Sequence, residues 1–131
     1  MFLSLSCIAF NARAYNLDNF GKARALSEKQ NRGEAVTPEE RDLSRMDLSG
    51  APLYGANLHG ANLEETNLSG AHLSSARLQN TNLQGTDLSE ADITGINFCG
   101  AKLNAKTMLT PEQIAFAILS GATYYPDTTH D

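Results

Sequence analysis

The chain has 131 residues, of which 41% are hydrophobic, with a formal net charge of −5. That length holds one core and leaves little for a second independent one. The charge runs from +1 over residues 1–45 to −4 over 46–105 and −2 over 106–131, which leaves no basic face to track a nucleic acid, although an acidic surface is compatible with a basic protein partner.

At the N-terminus, Met1 to Phe10 is apolar or small at nearly every position. Ala12-Arg13-Ala14 then has the small-x-small form of a signal-peptidase site before Tyr15. Residues 1–14 therefore read as the end of an export signal that lacks a basic start, since no Lys or Arg precedes Arg13. The alternative is an apolar arm lying against the fold. The apolar run is too short to span a bilayer.

Residues 15–40 read as a helical cap. Leu17 to Lys29 is rich in helix formers, with Leu17, Phe20, Ala23 and Arg24 or Leu26 at helical spacing. A polar turn around Gly33 follows. Thr37, Pro38 and Glu40 then give an N-cap, a proline at the first helical position and a capping-box acid, which predicts one more helical turn.

From Met46 to Ala105 the chain repeats every five residues: MDLSG, APLYG, ANLHG, ANLEE, TNLSG, AHLSS, ARLQN, TNLQG, TDLSE, ADITG, INFCG, AKLNA. Five residues turn an α-helix through about 500°, so the leucines would spiral around all its sides. In a flat strand an odd step alternates faces. A step of five returns to one interior only if each pentapeptide makes one side and one corner of a stacked solenoid.

The large interior group is Leu48, Leu53, Leu58, Leu63, Leu68, Leu73, Leu78, Leu83, Leu88, Ile93, Phe98 and Leu103. Two residues earlier a small group also points inward: Ala51, Ala56, Ala61, Ala71, Ala76, Ala91 or Ala101, with Thr66, Thr81, Thr86, Met46 and Ile96 as variants. Between them lies an outward position that is often Asn or Asp and suits a hydrogen bond to the turn. The fifth position is frequently Gly, as a corner with positive φ requires.

These residues resemble the pentapeptide repeat family, whose pattern is A(D/N)LxX. Twelve tandem repeats match, with Arg41 to Arg45 as a degenerate thirteenth, so that the repeat region reads as 41–105. The resemblance implies an all-β solenoid, a right-handed quadrilateral parallel β-helix of about three coils, with short α-helical caps at both ends. Residues twenty apart then stack, and Leu48, Leu68 and Leu88 share a column. Three coils give a rod about 15 Å long. Pro52, which cannot donate to a ladder, falls on the first coil, where an edge tolerates it.

Residues 106–131 read as a C-terminal cap helix and tail. Thr110, Pro111 and Gln113 repeat the capping-box pattern, and Leu109 with Ile114 suits a hydrophobic staple. A helix from about Pro111 to Leu119, ending at Ser120-Gly121, is expected to plug the last coil. A segment of this type is similar to what many bacterial pentapeptide repeat proteins carry.

Chemistry is hard to place on this surface. His59, His72 and His130 have no metal-site spacing, and Cys7 and Cys99 form neither a disulfide framework nor a zinc motif. His72 and Asp92 share a column and are expected to make a surface ion pair or hydrogen bond. Gln79 and Gln84 are expected to point outward, with near-neutral substitutions. No catalytic, cofactor-binding or metal residue is assigned and no enzyme is expected.

The expected function is that of a small structural or interaction module, monomeric, with no membrane span and an unidentified protein partner. The export signal read in residues 1–14, together with the resemblance to short cyanobacterial and thylakoid-lumen members, leads us to expect the periplasm or thylakoid lumen, with the cytoplasm as the alternative. A second reading, a DNA-mimicking protein that binds the topoisomerase gyrase, fits less well. Such members of the family are longer, more acidic, dimeric rods.

Overall fold

The computed structural model describes residues 15–126. The expected cleavage site and the apolar segment before it, with Cys7 and His130, lie outside the described residues. Helix α1 spans Leu17–Asn31, two residues beyond the expected end. The Asn16 side chain caps it by accepting from the Asn19 N–H at 3.0 Å. Ala23, Leu26 and Ser27 are its buried positions, whereas Arg24 lies on the exposed side in an ion pair with Glu28. Tyr15 meets Phe20 edge-on with ring centroids 5.2 Å apart.

Helix α2 is the single turn Pro38–Arg41. Its capping box has both halves in place, Glu40 N–H donating to Thr37 Oγ1 and Thr37 N–H to the Glu40 carboxylate.

Beyond α2 the backbone pairs with itself at a fixed step. Parallel bridges join Asp42 to Asn62, Asp47 to Asn67, Pro52 to His72 and Asn57 to Arg77, and the same columns continue to Asn82, Asp87, Asp92 and Asn97. Each bridge joins residues twenty apart, so four pentapeptides make one course and successive courses lie on one another in register. Most bridges stay single because a corner interrupts the pairing every five residues. Twelve residues in a row at that spacing, from Arg45 to Gly100, have positive φ.

Seven of those corners are glycines and five are not: Arg45, Glu65, Ser75, Asn80 and Glu90. A side chain in the left-handed region is strained by its own Cβ. Ser75→Gly should therefore raise stability by about 0.5–1 kcal/mol, even after the extra freedom glycine gives the unfolded chain. Urea denaturation of the variant reads this directly, and a lowered midpoint would show the Ser75 corner to be relaxed.

The interior is filled as columns. Leu43, Leu63, Leu83 and Leu103 are fully buried in one, and Leu58, Leu78 and Phe98 in another. Leu48, Leu53, Leu68, Leu73 and Leu88 are buried as well, as are Ala51, Ala56, Ala61, Ala71, Ala76 and Ala101. Ala91 and Ile93, read from sequence as interior, are only half-buried. They lie on the last course, and no further side chain stacks above them.

Four threonines sit in the small inward position, all buried: Thr66, Thr81, Thr86 and Thr107. Their hydroxyls donate to interior carbonyls at 2.7 Å: Thr66 to Leu43, Thr81 to Leu78, Thr86 to Leu63 and Thr107 to Leu83. Three of these bonds cross from one course to the one below, at a place where alanine would leave the carbonyl without that partner.

The two ends are finished differently. At the first course α1 turns polar side chains onto the open backbone edge. Lys22 donates to the Asp42 carbonyl at 2.7 Å, Asn19 to that of Asp47 at 3.1 Å and Gln30 to that of Asn57 at 2.7 Å, while the Asn57 N–H donates to Ser27 Oγ. The fourth side carries Pro52, which has no N–H to satisfy.

At the other end the pairing runs past Ala105 with one extra residue, Met108 bridging Asp87. Helix α3, Pro111–Leu119, has its own complete capping box from Thr110 and Gln113. The chain then returns to the stack. Strand β2, Thr123–Tyr125, pairs in parallel with β1, Lys102–Asn104, placing Tyr124 over Leu103. The tail thus supplies the last rung of the leucine column, which the repeat pattern did not indicate.

Helix α3 does not plug the stack as expected. Ala117 is its single buried residue, and Phe116, Ile118 and Leu119 are exposed, Leu119 to 87%. Strand β2 covers the side of Lys102–Asn104, and Glu112, Gln113 and Phe116 of α3 face the side of Ala91 and Ile93 across a groove.

Candidate interaction surface

The outer face of each side is built from the position between the two inward ones. There an Asn or Asp side chain accepts the N–H two residues on: Asp42 from Ser44, Asp47 from Ser49, Asn67 from Ser69, Asp87 from Ser89 and Asp92 from Thr94. The following hydroxyl adds a second bond, as from Ser49 Oγ to Asp47 at 2.6 Å. These turns fix the corners, and they also occupy the carboxylates. Among the described residues no group of three or more His, Cys, Asp or Glu side chains converges as a metal site would need.

The Ser44 hydroxyl and N–H hold the Asp42 carboxyl below the usual carboxylate range. The Thr94 hydroxyl and N–H do the same for Asp92, with a smaller effect from His72. At Glu40 the Lys29 ammonium is the larger cause and the Thr37 N–H the smaller. A folded-state pKa below the unfolded one contributes stability that is complete above the ordinary value and is lost as pH falls through the folded one. The thermal midpoint should therefore hold steady from neutrality to about pH 5 and fall below about pH 4. In the double variant Asp42→Asn, Asp92→Asn the acid slope should be shallower. An unchanged slope would show that these turns are not coupled to folding.

His72 stands next to Asp92 in the column, but the pair expected from sequence is not made. Asp92 is engaged by Thr94, and the His72 ring stacks on Tyr54 with centroids 5.2 Å apart and planes at 18°. The stacked ring sits over an exposed tyrosine, and no nucleophile shares the site. Asn80 Nδ2 lies 3.2 Å from His59 Nε2, donating to it when that nitrogen is unprotonated. Cys99 is exposed and free. Gln79 and Gln84 are half-buried, not simply outward, and the Gln79 Oε1 is buried with no hydrogen-bond partner. One charged contact joins two corners of a column, Arg45 to Glu65 at 3.0 Å. Both groups are exposed, and such a pair contributes little.

Most apolar exposure gathers at the C-terminal end. Met108, Phe116, Ile118, Leu119 and Tyr125 are all exposed there. A groove between the last course and α3 is lined by Ala91, Ile93, Gly95, Glu112, Gln113 and Phe116. A second shares Ala91 and Gln113 and adds Glu90, Met108 and Leu109. The repeat pattern gave no signal for this, because Ala91 and Ile93 read like every other interior pair.

Residues 39–70 and 66–104 match the pentapeptide repeats family model, in eight copies. Similar solved structures include the pentapeptide repeat protein Rfr23 from the cyanobacterium Cyanothece 51142, at 39% identity over 51% of this chain and 42% of that one, with a TM-score of 0.28. Another is alr5209, a pentapeptide repeat protein from Nostoc Pcc 7120, at 22% identity over 77% and 93% of the two chains, with a TM-score of 0.38. Among curated proteins none matches. The chain belongs to the pentapeptide repeat family. Among the described residues no helix is long and apolar enough to cross a membrane.

Proposed function

We propose that residues 41–105 form a right-handed quadrilateral parallel β-helix of about three coils, and that the protein is a small, non-enzymatic module for structural support or protein interaction. The observation that carries this is the twenty-residue bridging register, which spends the large side chains on the interior and leaves short polar groups outside. A surface of that kind presents a stiff, flat face and lacks the convergent polar groups of a reaction site. The side chains best suited to chemistry are engaged locally, Asp92 by Thr94 and His72 by Tyr54.

The interior residues and the two capping boxes hold that face in shape, and the partner recognises it from outside. Export to a periplasm or thylakoid lumen remains our reading of residues 1–14. Photo-cross-linking in the native host, followed by fractionation and intact mass, tests both parts. A defined cross-linked partner and a mature chain starting at Tyr15 are expected. Recovery of the protein cross-linked to nothing would sink the interaction reading. An unprocessed cytoplasmic chain that inhibits supercoiling at stoichiometric amounts would replace it with the gyrase-binding one.

A further inference from the structure

At the C-terminal end of the stack the backbone edge of residues 91–95 is open. In the course below, Leu73 N–H donates to the Asp92 carbonyl and Ser75 N–H to that of Thr94, as Leu53 and Gly55 do one course lower to His72 and Ser74. On the last course the equivalent groups are the N–H of Ile93, the N–H of Gly95 and the carbonyl of Ala91, and none has a backbone partner among the described residues. Elsewhere at this end the ladder continues over the side of Lys102–Asn104 and at Gly100, although Phe98 N–H has no backbone partner among the described residues either. Thr123–Tyr125 closes the side over Lys102–Asn104, and Gly100 N–H donates to the Gly121 carbonyl at 3.0 Å. At the opposite end the edge is met by Lys22, Asn19, Gln30 and Ser27 or blunted by Pro52.

The open edge runs along the groove whose walls are Ala91, Ile93 and Phe116. Glu112 lines the same groove, Asp92 lies on the edge itself, and Glu90 lines the adjoining groove. No lysine or arginine is among the residues lining either one. An unpaired ladder edge specifies an extended backbone as its occupant, and the carboxylates with no cation specify its charge.

We propose that residues 91–95 accept a strand of a partner protein, in parallel register, carrying a small and a large apolar residue two apart with a basic residue between them. A partner residue facing Asp92 donates its N–H to the Ala91 carbonyl and accepts from Ile93 N–H. The partner carbonyl two residues on accepts from Gly95 N–H. Its inward side chains cover Ala91 and Ile93, which explains why two interior-type residues are left half-buried. The basic side chain between them faces outward next to Asp92.

This site rests on the interaction-module reading and commits it to one place. The probe is a fluorescein-labelled, N-acetylated peptide Ala-Lys-Leu-Lys-Gly-Ala-Lys-Leu, which repeats the small–basic–large order. Binding to the full chain is read by anisotropy and by amide exchange. Saturable binding with slowed exchange at Ile93 and Gly95 is expected. Phe116→Asp, at an exposed position, should weaken binding by about tenfold or more. Glu112→Lys should weaken it by about threefold at low salt. Leu119→Asp, on α3 but outside both grooves, should leave it unchanged.

Absence of binding, or binding that leaves both amides exchanging freely, overturns the proposal. So does a concentration-dependent dimer that Phe116→Asp abolishes, since a second copy would then be the occupant. Should Phe116→Asp unfold, the amide readout and Glu112→Lys still decide. A host partner cross-linked to the side faces, with no probe binding, would end this inference and leave the module reading standing.

Discussion

Leu83→Ala should cost about 2–5 kcal/mol of folding stability. Leu83 is fully buried between Leu63 below and Leu103 above, and all three have zero exposure. The neighbours cannot close the gap, because their backbones are tied by the ladder: Leu63 N–H donates to the Asn82 carbonyl at 2.9 Å and Leu83 N–H to that of Lys102 at 2.8 Å. A loss of that size is a large share of the 5–15 kcal/mol typical of a domain. Urea denaturation followed by circular dichroism measures it. A midpoint within error of the parent would mean that the leucine column does not carry the fold.

Thr66→Val has the second largest expected effect, a loss of about 1–3 kcal/mol. The two side chains have nearly the same shape, so the change isolates the hydroxyl. Thr66 is fully buried and donates at 2.7 Å to the carbonyl of Leu43, which accepts from no backbone N–H among the described residues. Valine leaves that carbonyl unpaired inside the first course. At Thr86 the same substitution should cost less. Its acceptor, the Leu63 carbonyl, also receives the Thr66 N–H at 3.1 Å. Equal losses at the two sites would show that the effect comes from packing and not from the stranded carbonyl.

Both substitutions illustrate what could be read from the residues alone. The five-residue period identified the leucines, because only a chain that corners every five residues can bury them all, and the corners appear as positive φ from Arg45 to Gly100. The threonines were visible as variants of the small position. Their bonds to the carbonyls of other courses were not, since these depend on register across more than twenty residues.

The ends were legible only in part. Thr37 and Thr110 are local signals, and their capping boxes are local structures. The return of Thr123–Tyr125 to the stack is non-local, and so is the lack of cover over Ala91 and Ile93 on the last course. His72 and Asp92 failed as a pair for a related reason. Column neighbours were identified correctly, but Thr94 and Tyr54 compete for the two groups at shorter range.

The surface proposed to take a partner is therefore the part the repeat pattern describes least. Regular sides satisfy most of their own polar groups, whereas the C-terminal end combines exposed Phe116 and Met108 with a backbone edge that has no partner among the described residues.

The chain stacks with a twenty-residue step, its N-terminal edge met by side chains of α1 and its edge at residues 91–95 open. Nuclear Overhauser contacts of the backbone in a labelled, full-length sample test this arrangement most directly. Cross-course contacts are expected for Asn57 with Arg77, Asn67 with Asp87 and His72 with Asp92, with slow amide exchange at Leu73 and Ser75 and fast exchange at Ile93 and Gly95. Contacts at any other step, or equal protection of all four amides in the free protein, would contradict it.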